Sequence, residues 1–371
     1  MPTTRSAHAA AARAAARLLL ELPTEVLGLV LYQLLLAHDI AAVAPTSRAL
    51  CDAAKLALKL RPYSGEVVTL DEHGYNVRVV QSLADGRIIT GSPNDQAVKV
   101  WSGSGVCVHT IDFECYFESL AMIDGARFIC CRYPGFAADI WDLNGALERT
   151  IEKPSLDGKF RCVSAMPDGV HFVVGHECQN PRTRGLSLYH VDGTLVHRFY
   201  GHFQSVNAVA VSRDGQHIVS AGDKRVKVWH VASKSELGTC FGHNETVWSV
   251  AFMPDGQRIL SGSLEGYDYT LKRFVGLLLM HRLDGTLVRI FSHHEATPMA
   301  LAPLPDNTHV LSASRDTTVK LFNVDDGAVL RTFRHHTRAI MSLALLPDGL
   351  RFVSGSEDNT ARIAYHGLAP A

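Results

Sequence analysis

From about residue 65 onward, apolar and polar positions alternate in short runs. Examples are "VNAVAVSRDG" (206–215) and "VWSVAFMPDG" (247–256). Each run stops at a tight turn, and a second run follows it, as in "QHIVSAG" (216–222) and "RFVSGS" (351–356). A third run ends on an aromatic, as in "AVKVW" (97–101) and "TVKLF" (318–322), and a fourth follows a small turn, as in "GAVLRTF" (327–333). Alternation over a few residues, punctuated by Asp-Gly, predicts antiparallel strands joined by hairpins. Each unit therefore reads as a four-stranded sheet.

The turn itself recurs. Asp85, Asp124, Asp168, Asp214, Asp255, Asp306 and Asp348 mark seven copies at spacings of 39 to 51 residues. A single sheet of this kind has two faces and buries neither alone. Radial stacking buries both and leaves only short edges. Seven units over 65–371, at about 44 residues each, predict a seven-bladed propeller. The last unit, ending near Tyr365, supplies only three strands, so residues 67–70 are expected to pair with it as its outer strand and close the ring.

The front of the chain has another period. Val26, Leu27, Val30, Leu31, Leu34 and Leu35 recur at i, i+1, i+4 and i+5, which predicts a helix with a broad apolar face. Pro23 suits a first helical turn, Asp39 suits a cap, and Pro45-Thr46-Ser47 separates a second helix from a third. Three short helices over 21–60 form a unit too small to be stable by itself, so it is expected to dock either on the propeller or on another protein. Residues 1–20, rich in alanine with Arg5, Arg13 and Arg17, read as a disordered or frayed lead-in; a transit peptide is the alternative.

Composition changes this picture little. The formal net charge of -1 gives no basic field for nucleic acid, and no apolar run is long enough to span a membrane. The 8 cysteines follow no metal-ligand spacing and read as reduced thiols of a cytoplasmic or nuclear protein. No phosphate-cradling glycine loop or nucleophile elbow appears, and no metal or other cofactor is expected.

Segments in two parts of the chain resemble known families. "SEDNTARIA" (356–364), "SRDTTVKLF" (314–322), "SPNDQAVKVW" (92–101) and "GDKRVKVW" (222–229) resemble the ends of WD repeats. "GHFQSV" (201–206) and "GHNETV" (242–247) resemble their Gly-His starts. The likeness is strong in blades 1, 4, 6 and 7 and decayed in blades 2, 3 and 5, and blade 5 carries an insertion. "LPTEVLGLVLYQLLLAHDIAAVAPTSRALCDAA" (22–54) resembles an F-box, with Leu50 where an aromatic is common. The expected fold is thus an all-β seven-bladed WD-type propeller preceded by an all-α three-helix F-box-like unit.

The resemblance implies roles. An F-box binds a Skp-type adaptor and through it a cullin ubiquitin ligase, which makes Leu22, Pro23, Val26, Leu27, Val30, Leu31 and Ile40 adaptor-contact candidates. His202, Ser220, Asp223 and Trp229, and likewise His336, Ser354 and Asp358, carry hydrolase-triad residue types, but the set recurs from blade to blade. In WD repeats the similar set is a structural hydrogen-bond chain. The pairs His293–His294 and His335–His336 are one repeat apart and read the same way. A protein substrate is expected on the rim around the axis. Tyr75, Lys224, Arg225, Arg315 and Arg338 are its candidate contacts, near Asn94, Gln204, Leu264 and Glu357. Arg315, Arg338 and Lys224 suit a phosphorylated or acidic segment. The expected function is a non-catalytic substrate receptor of a ubiquitin ligase. A WD scaffold unconnected with ubiquitin is the alternative, and a propeller hydrolase the third.

Overall fold

The computed structural model describes residues 67–133, 137–152, 158–177, 185–268 and 273–368. The F-box-like unit and its seven candidate residues lie outside them.

Within the compact unit that begins at Val67, seven four-stranded antiparallel sheets form seven blades. We call the strands of each blade a to d from the inside outward. Blade 4 shows the plan: Ala208–Val211, His217–Ala221, Val226–His230 and Ser235–Cys240. Inner strands of successive blades touch all the way round, and the inner strand of blade 7 (Ile340–Leu345) touches that of blade 1 (Val79–Ser82). The ring is therefore closed.

Closure uses the two ends of the unit. Blade 7 takes its strands a to c from Ile340–Leu345, Arg351–Ser356 and Ala361–Tyr365, and its outer strand is Val68–Leu70. Val68, Thr69 and Leu70 pair with Ile363, Arg362 and Ala361. Leu70 is fully buried among Val77, Trp101 and Ile363. Val68 packs on the turn of blade 1 at Gly105, where φ is +90° and a Cβ would lie 2.5 Å from the valine.

The core lies between blades. Strand b carries a small residue at one fixed position in every blade: Gly91, Cys131, Gly175, Ala221, Gly262, Ala313 and Gly355. The next inner strand approaches there. A Cβ on Gly355 would meet Val77 and Val80 of blade 1 at 2.9 Å, and one on Gly175 would meet Val206 of blade 4 at 2.7 Å. Small side chains at this position let neighbouring sheets stack at the density a protein core requires.

The insertion in blade 5 lengthens its central hairpin. Strands Arg258–Asp268 and Arg273–Arg282 stay paired from Arg258↔Arg282 to Asp268↔Arg273. They run past the blade on the side of the b–c connections.

Candidate functional site: the axial mouth

Most polar side chains inside the blades serve the fold. In blade 4, Nδ1 of His202 lies 2.9 Å from Asp223, and its Nε2 lies 2.7 Å from Ser220 Oγ. The indole N–H of Trp229 donates to the same oxygen at 2.8 Å. The chain is fully satisfied if His202 donates from Nδ1 and accepts the Ser220 hydroxyl at Nε2. Blade 7 repeats it with His336, Asp358 and Ser354, at 2.8 and 2.9 Å. Blade 6 does so with His294, Asp316 and Ser312, both at 2.7 Å.

Blade 1 carries a complete set that the sequence reading did not assign. His73 reaches Asp95 at 2.8 Å and Thr90 at 2.7 Å, and Trp101 donates to Thr90 at 2.7 Å. Threonine in place of serine hides the match. In blade 5, Ser263 replaces the aspartate, so His243 lies between two serines, 2.6 Å from Ser263 and 2.7 Å from Ser261.

The set does not extend to every blade, contrary to the expectation that it recurs in weak copies as well. In blade 2 the histidine position is Phe113 and the serine position Cys130, and Phe113 packs edge-on against Trp141 at 4.9 Å. In blade 3 the serine position is Val174, and Tyr189 packs edge-on against Phe160 at 6.0 Å. An aromatic contact there replaces the hydrogen-bond chain.

These chains have the Asp–His–Ser order of a hydrolase triad. However, Ser220, Ser312 and Ser354 are 0% exposed, so no substrate carbonyl reaches them. Their electrostatics are those of a structural network. Burial alone would raise the Asp316 and Asp358 pKa values. Hydrogen bonds from the paired histidine, from Thr318 or Thr360 and from a backbone amide outweigh it, and both carboxyls fall well below the usual range.

The connections from d to a and from b to c share one face of the ring, because strands within a blade are antiparallel. All five rim candidates lie there. Tyr75 and Arg338 are in d–a connections, Lys224, Arg225 and Arg315 in b–c turns. Tyr75, Lys224, Arg315 and Arg338 are exposed, and Arg225 is half-buried. They divide into two sectors. Arg315, Arg338 and Tyr75 belong to successive blades 6, 7 and 1, and the turn at Asn359 of blade 7 is tied to the Gly74 carbonyl beside Tyr75. Lys224 and Arg225 stand on blade 4, with blade 5 between them and Arg315, so the three cations expected to read one anion do not share a sector.

The structure adds a ring that period-2 reading missed. Five inner strands have a register shift at their first turn: between Phe117 and Ser119, Phe160 and Cys162, Val247 and Ser249, Pro298 and Ala300, and Ile340 and Ser342. The extra residues are Glu118, Arg161, Trp248, Met299 and Met341. A bulge re-aims one side chain out of the pleat. The same position in blades 1 and 4 holds Arg78 and Asn207, whose amides bond Gly91 and Ala221. Arg161 of blade 3 lies over the ring of Trp248 of blade 5, 5.6 Å from its centroid. Blades 3 and 5 are not neighbours, so these side chains meet across the mouth of the axial channel. The usable signal in the sequence is the non-repetition of this position between a buried apolar residue and a small one.

Four consecutive segments, 193–230, 234–273, 285–323 and 327–363, match the family model "WD domain, G-beta repeat". Each match spans the outer strand of one blade and strands of the next, the same stagger that closes the ring. Blade 5, read from sequence as decayed, is matched; blade 1 is not among the matched segments although its hydrogen-bond set is complete. The matched segments leave residues 21–60 uncovered. No curated protein matches the chain. The chain thus carries four WD40 repeats, running from the outer strand of blade 3 into the third strand of blade 7, within a seven-bladed propeller.

Proposed function

We infer that this protein is a non-catalytic receptor that captures a protein partner at the axial mouth. The contact between Arg161 and Trp248 carries this reading. An aromatic and a guanidinium, the side chains most often decisive in protein interfaces, meet there at bulged positions whose residue type differs from blade to blade. Met299 and Met341 at equivalent positions add adaptable apolar surface.

The finer proposal rests on the sequence of residues 21–60. Their F-box-like pattern supports recruitment of a Skp-type adaptor through Leu22, Pro23, Val26, Leu27, Val30, Leu31 and Ile40, and through it a cullin ubiquitin ligase. The propeller then presents the protein to be modified, in the cytoplasm or nucleus. The ligase chemistry belongs to the partner proteins. Co-purification of the full chain with a Skp-type adaptor tests this, beside a Leu27→Asp, Leu31→Asp variant whose propeller melts normally. Retention by the parent and loss from the variant supports the ligase role. No retention by either makes the chain a WD scaffold without a link to ubiquitin.

A further inference from the structure

Most residues that serve the fold recur from blade to blade, so an exposed constellation that occurs once and leaves its polar donors without a hydrogen-bond partner needs another explanation. Blade 4 holds one, radially outside the mouth. Its b–c turn pairs Ala221 with Val226, a connection one residue shorter than the turn joining Ala313 to Val319 in blade 6. In blade 6 the residue before the pair is Thr318, whose hydroxyl donates to Asp316 at 2.6 Å. In blade 4 that place is Arg225. Its guanidinium lies over two aromatic rings, 4.8 Å from the centroid of Phe203 and 5.4 Å from that of Phe241.

Both rings are exposed, Phe203 at 56% and Phe241 at 59%, and nearby Tyr200 is 56% exposed. The positions equivalent to Phe203 in blades 1, 5, 6 and 7 are Gly74, Asn244, Glu295 and Thr337, so no shared structural role calls for an aromatic there. Among the described residues neither Arg225 nor Lys224 has a side-chain hydrogen bond or a salt bridge. The nearest acid in sequence, Asp223, is already engaged by His202. Asp223 offsets the charge of Arg225 in part, but the patch still combines cationic donors that have no hydrogen-bond partner with exposed aromatic surface.

We propose that Phe203, Lys224, Arg225 and Phe241 form a second docking surface on the outer part of blade 4, which takes an acidic peptide segment with an apolar side chain beside a carboxylate. A guanidinium held against aryl faces keeps its planar donor edge for a two-pronged bond to a carboxylate. The rings take the neighbouring apolar side chain. One guanidinium and one ammonium match a carboxylate better than a phosphate dianion, which favours a larger cation cluster. This extends the receptor reading beyond the mouth, and the test reads the two sites separately.

The probe is a short fluorescein-labelled peptide in which glutamates flank one leucine, measured by anisotropy on the full chain. Controls replace the glutamates by glutamine or by phosphoserine. The expected result is binding of the glutamate peptide, little binding of the glutamine peptide, and weakening with added salt. Arg225→Ala weakens it about tenfold, as loss of a charged hydrogen bond should. Arg225→Lys, which keeps the charge and loses the planar fork, also weakens it. Trp248→Ala leaves it unchanged. Absence of glutamate-peptide binding overturns the proposal, as does binding indifferent to Arg225→Ala. Binding lost with Trp248→Ala moves the peptide to the mouth. Much tighter binding of the phosphoserine peptide replaces the carboxylate by a phosphate. Failure of the mouth or adaptor readings leaves the Arg225 result untouched.

Discussion

Arg161 lies over the ring of Trp248, although their inner strands are separated by the whole of blade 4. The contact joins two half-buried side chains and is worth about 0.5–1 kcal/mol. We therefore expect Arg161→Ala to lower propeller stability by no more than about 1 kcal/mol in denaturant unfolding. A loss several times larger would make the pair part of the scaffold.

The closing strand should matter far more. Leu70 is fully buried between the last blade and the first. Leu70→Ala should cost about 3 kcal/mol, within the range for large-to-small core changes. Deleting 67–70 should cost more, since it also strips the hydrogen bonds along Ala361–Ile363. Thermal melting checks both, and an unchanged melt for the deletion would mean that the ring is held without this strand.

Strand b has no room at its small-residue position. Gly355→Val would push into Val77, Val80 and Ser342, all within 3 Å of a Cβ. Overpacking of this kind costs roughly 3 kcal/mol. Ala313 and Ala221 already have a Cβ at the same position, so Ala313→Gly should be much milder. The comparison separates tight stacking from a general intolerance of substitution.

Acid should act in two stages. Burial lowers the pKa of His243 to about 3 and those of His293 and His335 to about 4. The unfolded chain then binds protons first, so this stability is complete above a pH of about 6.5 and declines as pH falls toward those values. At pH 4.5, His243 alone should account for roughly 2–3 kcal/mol. Below about 4 a second loss begins. Asp223, Asp316 and Asp358 have depressed pKa values because histidine hydrogen bonds outweigh the raising effect of burial, and protonation removes that contribution. Unfolding free energies across this range check the shape. His243→Gln should flatten the upper stage and leave the lower one, whereas an unaltered upper slope would assign it to other groups.

The blade count and the face carrying the rim residues were legible because strand alternation and Asp-Gly turns are local signals. Asp255 illustrates this: its carboxylate accepts from the amides of Gln257 and Arg258, two and three residues on. The outer strand of blade 7 was legible for another reason, the missing fourth strand after Tyr365; the pairing runs from Val68 to Leu70 within the expected 67–70. The mouth was not legible. A bulge at Trp248 breaks the period of two, and only three-dimensional closure brings that residue to Arg161 from two blades away. The set around His73 was missed because Thr90 does the work of a serine. Arg225 was singled out as a rim cation, but its partners Phe203 and Phe241 come from connections 38 residues apart, and nothing local joins them.

The most direct test of the receptor reading is quantitative affinity purification of the full chain beside two variants. One is Arg161→Glu with Trp248→Ala at the mouth. The other is Arg213→Ala, beside the Asp-Gly turn of blade 4 on the opposite face. The account predicts that at least one partner held by the parent chain is kept by Arg213→Ala and lost from the mouth variant, while partners held by residues 21–60 or by blade 4 stay on all three, with both variants melting close to the parent. An identical set of partners on all three proteins would contradict it and move recognition away from the axial mouth.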